Sequence, residues 1–92
     1  MKFKLSKLLM ESFKPSYFKL VDQSHLHAGH FENTTGIGTH FDVTLVSKQF
    51  EMVSKVNRHR QVNAICKDLF SEGLHALALH IFDEEEWSKK NG

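Results

Sequence analysis

The chain has 92 residues, of which 40% are hydrophobic and 25% charged, a composition typical of one small folded domain. Its 12 basic and 11 acidic residues give a net charge of +1, which excludes the overall basic character of many nucleic-acid-binding domains. The single cysteine excludes an internal disulfide, and no apolar run approaches the roughly 20 residues of a membrane span. We therefore expect one cytoplasmic domain over residues 1–92, with no membrane partner.

Hydrophobic periodicity predicts a helix and then two strands in the first half of the chain. Leucines recur at helical spacing up to Phe13, and the helix should end before Pro15, because the residue before a proline avoids the α region. Residues 17–23 and residues 40–47 alternate in polarity, as half-buried strands do. The polar stretch 24–39 between them predicts a long loop, and long ordered loops often carry function.

The second half predicts two helices, a third strand and a final short helix. Residues 50–56 suggest a short helical segment, and residues 57–71 a longer helix. A glycine at position 73 is placed to cap the end of that helix. Residues 74–82 predict the third strand. The pair Asp83 and Glu86 resembles a capping box, which would begin the last helix.

This order of elements predicts an α+β fold of the KH-like type II. The order is helix-strand-strand-helix-helix-strand, with a three-stranded mixed sheet covered on one face by helices. The first two strands should pair antiparallel, whereas the third arrives through helices and should pair in parallel. Cys66 lies on the apolar stripe of the longer helix, which predicts a buried core residue rather than a nucleophile.

Histidines are concentrated in the predicted loop and at the start of the third strand. His25, His27 and His30 lie in the loop, and His40 follows it. Imidazole binds zinc, copper and iron, but a bare His-x-His-x-x-His pattern is weak because structural zinc normally takes four ligands. A solvated loop is the simpler interpretation, and a zinc or copper site in the loop alone is a further alternative.

His75 shares its strand parity with Leu77 and Leu79, which predicts a ring on the helix side of the sheet. The simpler interpretation is a hydrogen-bonded histidine at the border of the core. If the third strand lies beside either of the others, its start and the loop can meet at one edge of the sheet. Two imidazoles at that edge would form an incomplete metal site that a partner has to complete.

Basic residues gather around the predicted start of the longer helix, and they are Lys48, Lys55, Arg58 and Arg60. Arginines there could contact phosphate together with backbone N–H groups, although capping and surface charge explain them more simply. KH domains clamp nucleic acid with a Gly-x-x-Gly loop, and this sequence has none between its two helices. No nucleophile motif, phosphate loop or carboxylate pair is present in the sequence, so we expect no enzyme.

Four short motifs point to one family when they are taken together. They are Ser24-x-x-His27 after the first strand, Thr39-His40-Phe41 at the second, Arg58-His59-Arg60 at the long helix and His75-Ala76-Leu77 at the third strand. Over nearly its whole length the chain resembles the BolA-like proteins. The run from His75 to His80, with Trp87 beyond it, is most similar to the bacterial BolA branch.

The resemblance implies the KH-like fold and a partner, a monothiol glutaredoxin with glutathione. The two proteins would share a [2Fe-2S] cluster in iron–sulfur and iron homeostasis, while the isolated chain would bind none and be a monomer or weak dimer. The resemblance gives His75 and His27 as the ligands from this chain, with His30 in reserve. Neutral histidine ligands raise the reduction potential of such a cluster.

The resemblance also implies a second theme, DNA-binding transcriptional regulation of the stress response and cell morphology. The basic residues named above, at the start of the long helix, would then face DNA. Two departures from the family pattern touch this region: Asn63 replaces a tyrosine or histidine, and Glu51-Met52 replaces a segment that often contains glycine. The resemblance therefore supports cluster binding further than it supports DNA binding.

Overall fold

The computed structural model of the chain describes residues 1–23 and 40–91. Its helices are α1 (Lys2–Phe13), α2 (Lys55–Ile65), α3 (Lys67–Ser71) and α4 (Glu84–Asn91), and its strands are β1 (Tyr17–Asp22), β2 (His40–Val46) and β3 (Ala76–Phe82). The predicted order of elements is confirmed, with two differences in the helices. The segment expected at 50–56 is only a 3₁₀ turn at Lys48–Phe50, and the longer helix begins at Lys55 and is interrupted at Cys66.

The three strands form one mixed sheet, as predicted, and their order, which the sequence left open, is β1-β2-β3. β1 pairs antiparallel with β2, from Tyr17 opposite Val46 to Asp22 opposite Phe41. β2 pairs in parallel with β3. β2 is therefore the central strand, and the edge of the sheet where β2 begins is also the edge where β3 begins.

The hydrophobic core lies between α1, α2, α3 and one face of the sheet. Leu5, Leu9 and Phe13 of α1 belong to the same buried cluster as alternate residues of β2 and as Val62 and Cys66. Burial raises the pKa of the Cys66 thiol to about 11 because desolvation disfavours the thiolate. Cys66 is thus a protonated core residue at neutral pH, in line with its predicted role.

The final helix packs on the opposite face of the sheet, at one end. The ring of Trp87 in α4 stacks on Tyr17 at a centroid distance of 4.8 Å and lies 5.3 Å from the ring of Phe82. These two partners are on the face that α1 and α2 leave open, because they alternate with the core-facing residues of their strands. Among the described elements, no helix is both long enough and apolar enough to cross a membrane.

The helix cap predicted at Gly73 is present. After α3, the N–H of Leu74 donates to the C=O of Leu69 at 3.0 Å and the N–H of Gly73 donates to Phe70 at 3.4 Å, which is a Schellman motif. Gly73 adopts a φ of +122°, a left-handed conformation that favours glycine. The burial of both Leu69 and Leu74 adds the hydrophobic contact that usually accompanies this motif.

Candidate functional site

Two histidines meet at the edge of the sheet where β2 and β3 begin. His40 is the first residue of β2, and His75 directly precedes β3. The two histidines are neighbours because the parallel register pairs His40 with Ala76. The centroids of their rings are 5.6 Å apart, and the ring planes are nearly perpendicular, at 83°. His75 is exposed and His40 is half-buried. The register of the central parallel pair is therefore what brings the two imidazoles together.

His75, which was expected within the third strand, lies directly before it. The expectation that its ring lies on the helix side of the sheet stays a prediction. The buried Leu74 completes the turn after α3, and β3 begins only at Ala76, so His75 falls between the two. Its side chain is consequently exposed at the edge of the sheet. This exposure makes the imidazole accessible to a ligand or a partner.

The predicted histidine loop is connected to this same edge. The N–H of Gln23 donates to the C=O of His40 at 2.8 Å, which ties the end of β1 to the start of β2. The segment 24–39 therefore leaves and re-enters the described structure beside His40 and His75. His27 and His30 lie in that segment, outside the described residues, and their role as ligands stays a prediction.

The donor chemistry of this edge fits iron but supplies only part of a site. Imidazole nitrogens are suitable iron ligands, and the exposed ring of His75 offers one of them, with the ring of His40 beside it. Within residues 1–23 and 40–91, no group of three or more histidine, cysteine, aspartate or glutamate side chains is placed to hold a metal ion. A metal centre built on the described histidines would thus need further donors from residues 24–39 or from a partner.

His40 is the residue of this edge to which the sequence analysis assigned no role. In the sequence, His40 follows the predicted loop and is the first residue of the predicted second strand. The nearest signal in the sequence was the expected parallel pairing of the third strand, whose neighbour in the sheet was left open. Even with β2 as that neighbour, parallel pairing places only the starts of the two strands at the same edge of the sheet, and the register that brings the two rings together would stay undetermined.

Arg58, predicted as a phosphate contact, is instead buried at the junction of α2, β3 and α4, where it is only 4% exposed. Its guanidinium donates from Nε to the C=O of Val53 at 2.9 Å and from Nη1 to a carboxylate oxygen of Glu86. Nη1 also lies 3.5 Å from the C=O of Ile81, and Nη2 lies 3.5 Å from Asp83 Oδ2. The side chain therefore faces the interior, and this leaves Lys48, Lys55 and Arg60 as the exposed members of the predicted basic set.

The carboxylates that hold Arg58 are the two residues of the predicted capping box. The N–H of Asp83 donates to Glu86 Oε1, and the N–H of Glu86 donates to Asp83 Oδ1, both at 2.8 Å. The hydrogen bond from Arg58, followed by the one from the Asp83 backbone, lowers the pKa of the Glu86 carboxyl. The hydrogen bonds of Asp83 and Glu86 thus cap the N-terminus of α4 and also connect that helix to Arg58 near the start of α2.

Comparison with known proteins shows that the chain is similar to the members of one protein family. Residues 9–86 match the family described as BolA-like protein. The DNA-binding transcriptional regulator BolA of Vibrio cholerae is 34% identical over 87 residues, which cover 95% of this chain and 78% of that one. The protein of the same name from Haemophilus influenzae is 32% identical over 83 residues, which cover 90% and 77%. The solved structure of BolA1 from Arabidopsis thaliana superposes with a TM-score of 0.82 at 31% identity, covering 94% of both chains.

Proposed function

Because the chain belongs to the BolA-like protein family, we propose that it is a non-enzymatic regulator that pairs with a monothiol glutaredoxin. In that pair it co-ligates a [2Fe-2S] cluster, and its role lies in iron–sulfur and iron homeostasis. The observation that carries the proposal is the exposed imidazole of His75, which lies beside His40 where segment 24–39 begins and ends.

In this proposal His75 and one loop histidine, His27 with His30 in reserve, ligate the cluster from this side. The partner cysteine and the glutathione thiol supply the other ligands. The bound cluster would supply one-electron redox chemistry, at a potential raised by the neutral imidazoles. His40 acts as a positioning residue, since its ring lies at right angles to that of His75 and restricts how the exposed imidazole can turn.

We expect a His75→Ala variant to lose the visible circular dichroism signal that is specific to the mixed complex. The wild-type chain, mixed anaerobically with a monothiol glutaredoxin, glutathione, iron and sulfide, should give a spectrum that differs from that of the glutaredoxin homodimer. Without His75 the cluster lacks one ligand from this chain, so the spectrum should revert to that of the homodimer.

The matched control is His80→Ala, which removes an exposed histidine from the other end of β3. His80 Nε2 lies 3.2 Å from Asp42 Oδ1 and no contact with His75 or His40 is assigned to it, so this variant should retain the wild-type spectrum. His27→Ala and His30→Ala, measured in the same way, identify the second ligand. If His75→Ala and wild type give the same spectrum and cluster stability, the proposal is wrong.

A second candidate function is DNA-binding transcriptional regulation of the stress response and cell morphology. It is favoured by the names of the Vibrio cholerae and Haemophilus influenzae relatives, which are DNA-binding transcriptional regulators. Lys48, Lys55 and Arg60 are exposed and lie at the 3₁₀ turn and on α2. Since the guanidinium of Arg58 is engaged in the interior, these three cations are the members of the predicted basic set that remain available for phosphate contacts.

For this candidate we expect duplex DNA binding with a slope of about −2.7 on a plot of log affinity against log salt, from three phosphate contacts at about −0.9 each. Lys48→Gln, Lys55→Gln and Arg60→Gln should each reduce the slope by about 0.9. Lys89→Gln, which removes an exposed lysine of α4, is the control and should leave the slope unchanged. Binding that cannot be measured at low salt would remove this candidate.

A further inference from the structure

The outer side of α1 carries exposed apolar side chains that neither candidate function uses. The buried side of this helix consists of Leu5, Leu9 and Phe13. On the other side Phe3 is 78% exposed and Met10 is 51% exposed. These two residues are seven positions apart, which is close to two helical turns, so they lie in line along the solvent-facing side.

The same helix carries an excess of positive charge at its surface. Lys2, Lys4 and Lys7 are exposed, whereas Glu11 is the one acidic residue in the sequence of α1. Lys4 Nζ lies 2.7 Å from Glu72 Oε1, but both side chains are about half exposed, and an ion pair of that kind holds its partners weakly. The exposed side of α1 therefore combines two protruding apolar groups with basic neighbours.

We propose that this side of α1 binds the surface of an anionic phospholipid membrane. The proposal departs from the expectation of no membrane partner, which was based on the lack of a membrane-spanning run. Phe3 and Met10 insert at the boundary between headgroups and acyl chains, and the lysines contact the phosphates. Interfacial helices have this combination of large apolar side chains and lysines, and the aliphatic part of a lysine can lie along the apolar region while its ammonium group reaches the headgroups. The positive charge is what selects an anionic surface over a neutral one.

The geometry of α1 is suited to lying on a membrane rather than crossing it. A helix of 12 residues is about 18 Å long, shorter than the hydrocarbon core of a bilayer. Beside Phe3 there is an open groove of about 380 Å³, lined also by Lys4, Lys7, Leu8 and Glu11. The groove lies on the same side of the helix as Phe3, and its lining combines two lysines with one carboxylate.

Sedimentation with vesicles of phosphatidylglycerol and phosphatidylcholine tests the proposal. The wild-type chain should bind vesicles that contain phosphatidylglycerol at low salt, bind less as salt is added, and not bind pure phosphatidylcholine. Phe3→Ala should weaken binding about tenfold, because the variant loses a large apolar side chain that would be buried on insertion. Lys4→Gln and Lys7→Gln should each weaken it about fivefold.

Two substitutions elsewhere serve as matched controls. Met52→Ala removes a fully exposed methionine outside α1, and Lys89→Gln removes an exposed lysine from α4, on the opposite face of the sheet. Both should bind vesicles as the wild type does. The proposal is overturned if the wild type does not bind anionic vesicles at low salt, or if a Phe3→Ala, Met10→Ala variant binds them equally well. It is also overturned if these α1 variants weaken binding to duplex DNA or glutaredoxin instead, because the face would then serve a macromolecule.

Discussion

Replacement of Arg58 by alanine is expected to lower the free energy of unfolding by about 3 kcal/mol, the lower end of the cost of breaking a buried ion pair. The variant leaves the C=O of Val53 and the carboxylates of Asp83 and Glu86 without their cation at the junction of α2, β3 and α4. The side chain of Glu86 is 38% exposed, and water that reaches it reduces the cost. Urea denaturation followed by far-ultraviolet circular dichroism measures the effect.

Arg60→Ala is the matched control for this prediction. Arg60 lies two residues further along α2 and is exposed, and surface substitutions of this kind usually change stability by less than about 0.5 kcal/mol. Equal stability of the two variants would show that Arg58 does not hold the junction together. The pair also separates the two arginines of the Arg58-His59-Arg60 motif, since a loss of DNA binding in Arg58→Ala could come from a weakened fold.

The destabilisation by Arg58→Ala should also depend on pH. The folded-state pKa of Glu86 is lowered chiefly by its hydrogen bond to Arg58, so the ionised carboxylate is the form that stabilises the fold. That contribution is fully present above the ordinary pKa of a glutamate carboxyl and is lost as the pH falls through the lower folded-state pKa. The difference in the free energy of unfolding between wild type and Arg58→Ala should therefore become smaller in strong acid. A difference that does not change with pH would contradict the assigned role of Glu86.

The elements and caps of this fold could be predicted because their signals are local. The glycine after α3 and the Asp83 and Glu86 pair are separated from the groups they bond by only a few residues, so spacing alone identifies them. The alternation in β1 and β2 likewise follows from the burial of one face.

The contacts that define the site could not be predicted in the same way, because they join distant parts of the chain. Arg58 meets its carboxylates across 25 and 28 residues, once β3 has carried the chain back beside α2. In the sequence it is an arginine among polar residues at a helix start, which is typical of an exposed position. The contact between His40 and His75 similarly depends on the exact pairing of β2 with β3, which periodicity does not determine.

Replacement of Phe50 by alanine should cost about 3–5 kcal/mol, the range for removing a buried aromatic side chain. Phe50 is completely buried, and its ring centroid is 5.0 Å from that of Phe13 at the end of α1. The buried Ser47 fixes this region: its Oγ donates to the C=O of Phe13 at 2.6 Å and accepts from the N–H of Gln49 at 3.1 Å. Because these hydrogen bonds hold the backbone in place, the cavity left by the ring cannot readily collapse.

Phe3→Ala is the matched control, since it removes the same ring from an exposed position in α1 and should change stability by less than about 0.5 kcal/mol. Phe50→Leu keeps most of the buried volume, so its free energy of unfolding should lie between those of the two alanine variants. Comparable losses in Phe50→Ala and Phe3→Ala would contradict the packing of the 3₁₀ turn against α1. If Phe3→Ala unfolds like the wild type, as expected, then any weakening of its vesicle binding reports the surface of α1 and not a change in the fold.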